Sequence, residues 1–161
     1  MLPIEVIPIL EKVMLSKLTP HDLPIEVWTY PNHLHWVDIF LEFGTELFNS
    51  GLDFSKLPAG YGMVSYIFDW EVQNQFSGWY ALENRAYCIN EICSSYAAAG
   101  FPREASGISN AFQVWDRELQ NYDQVSKAYL KEKPEFESDI VRMENLVCFF
   151  IDNANALFYR K

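Results

Sequence analysis

Apolar residues recur at helical spacing along most of this chain, and this periodicity constrains the fold more than any other sequence feature. The clearest case is segment 33–49, whose apolar residues would cover most of a helix surface: Leu34, Trp36, Val37, Phe40, Leu41, Phe43, Leu47 and Phe48. Asn32 suits the N-cap of that helix and Gly51 its C-terminal end. We therefore predict a helix from His33 to Asn49.

The same pattern predicts further helices, separated by proline and glycine. They cover residues 3–18, 63–75, 80 or 85 to 99, 106–119, 123–131 and 134–158. Prolines make residues 20–32 a stiff connection, and residues 52–62 are predicted to form a loop. Gly100 and Pro102 are expected to stop the helix before them, while Pro134 suits the first turn of the last helix.

No segment alternates apolar and polar residues between turn signals, as strands joined by hairpins would. Half of the residues are apolar and 16% are aromatic, which is ample for one core without disulfides or a metal. We therefore predict an all-α fold of about six or seven helices in a single compact domain over residues 1–161.

The chain is acidic, with a formal net charge of −10. Residues 1–84 hold 11 acidic and 3 basic residues, whereas residues 85–161 hold 11 and 9, so most of the excess lies in the first half. Such a charge predicts repulsion from nucleic acid and anionic lipid, and attraction to basic protein surfaces.

The cysteine pattern indicates a reducing compartment. The chain has an odd number of cysteines and no CxxC spacing, which argues against disulfides and a zinc site. All three lie in apolar runs, so we predict buried structural thiols at Cys88, Cys93 and Cys148. The N-terminus has no basic leader, and no apolar run approaches the ~20 residues of a membrane span. We expect a cytoplasmic protein that does not enter a membrane.

Few residues suit catalysis or metal binding. His33 and His35 are two positions apart, which places them on different sides of a helix, and His21 lies alone in the connection. The phosphate-binding, nucleophile and zinc motifs are absent. We predict no cofactor, no metal and no enzymatic activity; a hydrolase with a buried carboxylate in a deep pocket is the remaining enzymatic alternative.

The most suggestive set is Asp38, Glu42 and Glu46, which recur every four residues and would stack along one helix face at ~6 Å per step. Like charges at this spacing destabilise a helix, and no Lys or Arg lies between Lys17 and Lys56 to relieve them. The row is either the solvated face of an amphipathic helix or a carboxylate row presented to a basic partner.

The second unusual segment is 74–80, where amides, a glycine and three aromatic rings meet at a helix junction. Asp69 and Glu71 precede it on either side of Trp70 and would point apart on a helix. The segment, including Trp79 and Tyr80, is either a structural junction or an aromatic recognition surface.

The stretch from Asp69 to Tyr80 resembles the signature of a family of small, acidic, helical bacterial proteins, roughly Glu-Val-x-Asn-Gly-Gly-Phe-x-Gln. The corresponding residues here are Glu71, Val72, Gln73, Asn74, Gln75, Phe76, Ser77 and Gly78. Gln75 replaces two glycines, and Gly78 replaces the final glutamine. One member type is a DNA mimic whose acidic surface occupies the DNA-binding face of a transcriptional regulator, and the resemblance implies a helical fold and a similar role.

These observations predict an acidic module that binds and neutralises or regulates a basic protein, either as a DNA mimic or as an immunity-type inhibitor of a toxin. The alternative is a structural or scaffold subunit that associates through aromatic surface, and a homodimer is compatible with either. The predicted partner-binding residues are Asp38, Glu42, Glu46, Asp69, Glu71, Trp79 and Tyr80.

Overall fold

The computed structural model describes residues 1–16, 33–118 and 121–161, with the backbone alone at 33, 34 and 118. Its helices are Ile7–Lys12 (α1), His33–Asn49 (α2), Ala59–Ser77 (α3), Ala81–Asn84 (α4), Ile89–Ala98 (α5), Pro102–Glu118 (α6), Tyr122–Leu130 (α7), Asp139–Asp152 (α8) and Ala154–Phe158 (α9). Short 3-10 turns occupy Ile4–Val6, Phe54–Lys56, Gly78–Tyr80 and Ala86–Cys88. No strand occurs in the described residues, which confirms the all-α prediction.

The described residues group into two compact units. The first unit comprises residues 1–69 and 138–161, and the second comprises residues 70–137. Helix α3 contributes residues to both. The prediction of a single domain over the whole chain stays a prediction, and the predicted connection at 20–32 lies outside the described residues.

Aromatic rings form the core of the first unit. Phe40 and Phe43 point inward from α2 and are fully buried. The Phe40 ring lies 5.4 Å from that of Phe68 and 5.9 Å from that of Phe150, and the Phe43 ring lies 6.2 Å from that of Phe158. The apolar side predicted for α2 therefore faces the interior, and its other side is left for polar residues.

Two glycines of the first unit allow close helix packing. A Cβ atom on Gly44 would lie 2.5 Å from Cβ of Phe68 and 2.9 Å from the carbonyl oxygen of Val64. A Cβ atom on Gly60 would lie 2.6 Å from the carbonyl oxygen of Leu157. Gly60 belongs to α3, which begins at Ala59, so the predicted loop at 52–62 is too long.

Helix α1 ends earlier than the predicted 3–18. Met14 has a positive φ of 63°, the Leu15 N–H donates to the Leu10 carbonyl at 2.6 Å, and the Met14 N–H donates to the Glu11 carbonyl at 3.2 Å. These two bonds form a Schellman motif, which is usually built on glycine. Because the left-handed residue is methionine and not glycine, the sequence contains no signal that the helix ends here.

The second unit is built on α5, α6 and α7. Gly100 has a φ of 91° and follows the end of α5, as predicted. Pro102, which was also expected to stop that helix, has a second role. It is the first residue of α6, a position where a missing N–H costs nothing, so α6 begins four residues before the predicted start. Gly107 on α6 allows close approach to α7, because a Cβ atom there would lie 2.9 Å from Cδ2 of Tyr129.

The predicted helix 134–158 is two helices, α8 and α9, and it starts at Asp139 rather than at Pro134. Glu135, which lies in the first turn of the predicted helix, instead caps α6. Its Oε1 accepts the Arg103 N–H at 2.8 Å and its Oε2 accepts the Glu104 N–H at 2.9 Å. The carboxylate thus accepts hydrogen bonds from two backbone N–H groups in the first turn of α6, which have no acceptor within their own helix. The two donors lie 32 and 31 positions before Glu135 in the sequence.

Candidate acidic surface on α2

The row of carboxylates lies on the outer face of α2. Asp38 and Glu42 are exposed, and Glu46 is half-buried, while Val37, Phe40 and their neighbours on the same helix are buried. Because the three acids are four residues apart, they lie along one line at ~6 Å per step. We call Asp38, Glu42 and Glu46 the α2 acidic row.

One end of the α2 acidic row has a cationic neighbour. The Lys12 ammonium of α1 donates a hydrogen bond of 2.7 Å to Glu46 Oε1. This bond raises the pKa of Lys12, with smaller contributions from the charges of Glu46 and Glu42. The prediction that the row has no cation beside it is therefore wrong for Glu46. Within the described residues, no Lys or Arg forms an ion pair with Asp38 or Glu42.

Two other exposed acids of the first unit, Glu5 and Asp53, are held by nearby groups. Glu5 pairs with Arg160 at 2.9 Å, and a backbone hydrogen bond followed by the Arg160 hydrogen bond lowers the pKa of Glu5. Asp53 pairs with Lys56 at 3.2 Å, and the Ser55 hydroxyl makes the largest contribution to lowering the pKa of Asp53. Asp38 and Glu42 differ from these acids because both are left to solvent.

Asp69 and Glu71 do not belong to this surface. They are 3% and 1% exposed, so the prediction that they contact a partner is corrected by their burial. The Tyr96 hydroxyl donates a hydrogen bond of 2.5 Å to Glu71 Oε1. A buried carboxylate held in this way stabilises the fold and is not available to another molecule.

The aromatic residues around the end of α3 differ in exposure: Trp70 is buried, Trp79 is half-buried and Phe76 is 85% exposed. Trp79 Nε1 donates to Ser126 Oγ at 2.8 Å, and its ring lies 5.1 Å from that of Tyr129. Tyr80 is 39% exposed and meets Trp115 edge to face. Trp70, at 3% exposure, cannot contribute to an aromatic recognition surface. Of the two aromatic residues predicted to contact a partner, Tyr80 is more exposed than Trp79.

The cysteines and histidines form no metal centre among the residues described. No three His, Cys, Asp or Glu side chains are grouped there so as to hold an ion. Cys88 is buried as predicted and Cys93 is half-buried, but Cys148 is exposed, because it lies on the outer side of α8. His21 lies outside the described residues.

No helix in the described part of the chain has both the length and the apolar character needed to cross a membrane. No protein-family model, curated protein or solved structure matches this chain. Lys12, the residue that sequence reasoning missed, is 34 positions from Glu46, and no local pattern indicates their contact.

Proposed function

We propose that this protein binds a basic protein partner through the α2 acidic row and thereby neutralises or regulates it. The observation that carries the proposal is the exposure of Asp38 and Glu42 on one face of a regular helix, without an ion pair among the described residues. Two like charges one helical turn apart destabilise the helix slightly, and a cationic partner would remove that cost.

The geometry suits a partner that normally binds a polyanion. The three carboxylates of the α2 acidic row lie along one line of the helix, as charges do on a nucleic-acid backbone, and Lys12 offsets the charge of Glu46 alone. A DNA mimic of a transcriptional regulator and an immunity-type inhibitor of a basic toxin would both use such a line. The resemblance of residues 69–80 to the acidic DNA-mimic family supports the first of these.

Charge complementarity would act mainly on association. Exposed pairs contribute little stability each, but a row of them steers a basic partner toward the surface and makes binding sensitive to salt. Steep weakening between about 50 and 200 mM salt is therefore expected. A contact made mainly of apolar side chains would weaken little over the same range.

The test uses the immobilised full chain to capture proteins from an extract of its own cells, followed by mass identification. The affinity of the captured protein is then measured for wild type and for the triple variant Asp38→Asn, Glu42→Gln, Glu46→Gln. The matched control is Glu83→Gln, Glu91→Gln, Asp123→Asn, which removes three exposed acids from the second unit and changes the net charge equally.

We expect a basic captured protein whose affinity falls at least about tenfold in the α2 variant and little in the control. Equal losses in both variants would mean that total charge, and not the α2 acidic row, attracts the partner. Unchanged affinity in the α2 variant would refute the proposal. Competition between this chain and DNA for the captured protein would distinguish a DNA mimic from a toxin inhibitor.

The alternative of self-association through aromatic residues has one observation in its favour. Phe76 is 85% exposed and Tyr80 is 39% exposed at the end of α3 and the turn that follows it. Burying these rings between two copies would be nearly independent of salt. Sedimentation at two salt concentrations tests this, because a salt-insensitive dimer that Phe76→Ser dissociates would support it.

A further inference from the structure

A small pocket lies on the second unit, between α6 and the end of α7. Its volume is about 200 Å³, and it is lined by Asn110, Gln113, Val114, Arg117, Ala128 and Lys131. The pocket is open to solvent, and its volume leaves room for a small metabolite rather than a drug-sized ligand.

The pocket follows from the packing of α6 on α7. Gly107 lets the helices approach closely at Tyr129, and Asn110 Nδ2 donates to Glu132 Oε1 at 2.7 Å one turn further along α6. Beyond that bond, the side chain at 128 is only a methyl group, which leaves the space between the helices unfilled. The lining residues 110, 113, 114 and 117 recur at helical spacing and form one stripe of α6.

Two cations, Arg117 and Lys131, line this pocket. Lys131 precedes Glu132 in the sequence, and Glu132 accepts a hydrogen bond from Asn110. Arg117 lies seven residues further along α6, a distance of ~10 Å at the rise of an α-helix. Within the described part of the chain, neither cation forms an ion pair and the Gln113 amide makes no hydrogen bond.

We propose that this pocket binds a small organic anion that carries two separated acidic groups, one held by Arg117 and the other by Lys131. The Arg117 guanidinium offers a planar fork that matches a carboxylate, and Lys131 supplies a point charge. The second Nδ2 hydrogen of Asn110 and the Gln113 amide can bond the polar atoms between them, while Val114 and Ala128 contact the carbon chain.

The proposal is independent of the α2 acidic row, which lies in the first unit. The excess negative charge of the chain works against anion binding, so the affinity is expected to be modest and to fall with added salt. A ligand with one acidic group would use only one of the two cations. The separation of the cations therefore sets the selectivity.

Isothermal titration of the full chain with succinate, glutarate and adipate tests the site, with propionate and inorganic phosphate as single-group probes. We expect saturable binding of at least one diacid with a Kd of about 1 mM or tighter. Arg117→Gln and Lys131→Gln should each weaken it about tenfold. Lys127→Gln, an exposed cation of α7 that does not line the pocket, is the matched control and should change little.

Three results would overturn the proposal. One is the absence of saturable binding of every diacid up to ~10 mM, tenfold above the expected Kd. Another is binding of propionate or phosphate as tight as that of the best diacid. The third is an equal loss in Lys127→Gln. The urea midpoint of each variant is measured alongside, and Lys131→Gln decides the outcome if Arg117→Gln does not fold.

Discussion

The Tyr96 hydroxyl donates a hydrogen bond of 2.5 Å to the carboxylate of Glu71, and both side chains are buried. The two residues lie 25 positions apart, on α5 and α3. The bond therefore links two helices of the second unit through a group that would be costly to bury without donors. It also explains why Glu71, an acidic residue just before the segment 74–80, does not reach the surface.

Replacement of Tyr96 by Phe should lower the free energy of unfolding by about 1–3 kcal/mol, because Glu71 stays buried with one donor fewer. Urea unfolding measures the loss. Tyr122→Phe is the control, since the Tyr122 hydroxyl makes no hydrogen bond among the described residues and its ring is 46% exposed. Equal stability of Tyr96→Phe and wild type would show that the bond contributes nothing net.

Two glycine-to-alanine changes should have opposite effects. Gly44→Ala places a methyl group 2.5 Å from Cβ of Phe68, so helices must move apart, and we expect a loss of about 1–3 kcal/mol. A Cβ atom on Gly62 would lie 3.4 Å from Cβ and 3.7 Å from Cγ of Phe54, which is ordinary contact, and the position lies within α3, so Gly62→Ala should stabilise by about 0.5–1 kcal/mol. Thermal or urea unfolding of both variants tests the pair, and unchanged stability of Gly44→Ala would contradict the close packing at Gly44.

Glu135→Ala should destabilise the second unit by about 0.5–2 kcal/mol, since the first N–H groups of α6 lose their acceptor. Glu137→Ala removes an equal charge two residues away at an exposed position and serves as the control. Hydrogen exchange at Arg103 and Glu104 gives a local readout. Protection of these two amides in Glu135→Ala equal to that in wild type would contradict the cap.

The cysteines should react with a thiol reagent in a fixed order. Burial, and then the charge of Glu104, raises the pKa of Cys93 to about 11, so roughly one molecule in a thousand is thiolate there at about pH 8. Cys148 is exposed, and burial of part of its side chain raises its pKa. Cys148→Ser should therefore abolish the fastest phase of labelling, and the rate at Cys93 should rise with pH up to about 11. If Cys93→Ser removes the fastest phase instead, the order is wrong.

The shift at Cys93 also has a consequence for stability. The thiol ionises at lower pH in the unfolded chain than in the folded one, so the folded state holds a proton that the unfolded state loses. The contribution of this group is complete below its ordinary pKa of 9.0 and is lost as pH rises from there to about 11. Cys93→Ser should remove this part of the alkaline destabilisation in urea titrations at several pH values.

Lys12→Gln should strengthen binding of the captured basic partner, since Lys12 occupies Glu46 and places a positive charge at the end of the α2 acidic row. The gain should be largest at low salt and disappear as salt rises. Lys56→Gln, which removes a cation paired with Asp53, is the control. Weaker binding in Lys12→Gln would mean that Lys12 itself contacts the partner.

Helices with local signals at both ends were predictable from the sequence. The bounds of α2 match the prediction at His33 and Asn49, and Gly51 adopts the positive φ of 71° that its position after the helix suggested. Helix α7 differs by one residue at each end, because Asn121 supplies its N-cap. Observed and predicted helix bounds differ most where a residue acts on another element than the one expected. Pro102, for example, was expected to stop the helix before it but begins α6.

The candidate surface was predictable only in part. Asp38 and Glu42 are exposed, as expected for acids on the polar side of an amphipathic helix. The pairing of Glu46 with Lys12 and the burial of Asp69 and Glu71 did not follow from any pattern. The same holds for the pocket between Arg117 and Lys131, because both cations belong to unremarkable polar stretches.

By itself the sequence determined the all-α class, the apolar side of each long helix and the excess of acid in the first half. These properties depend on residues three or four positions apart, which interact within one helix whatever the rest of the chain does. Only the tertiary structure decided which carboxylates stay in water. Glu71 meets Tyr96, Glu46 meets Lys12 and Glu135 meets Arg103 across 25, 34 and 32 positions. Such contacts arise from the packing of whole helices, which local spacing does not specify.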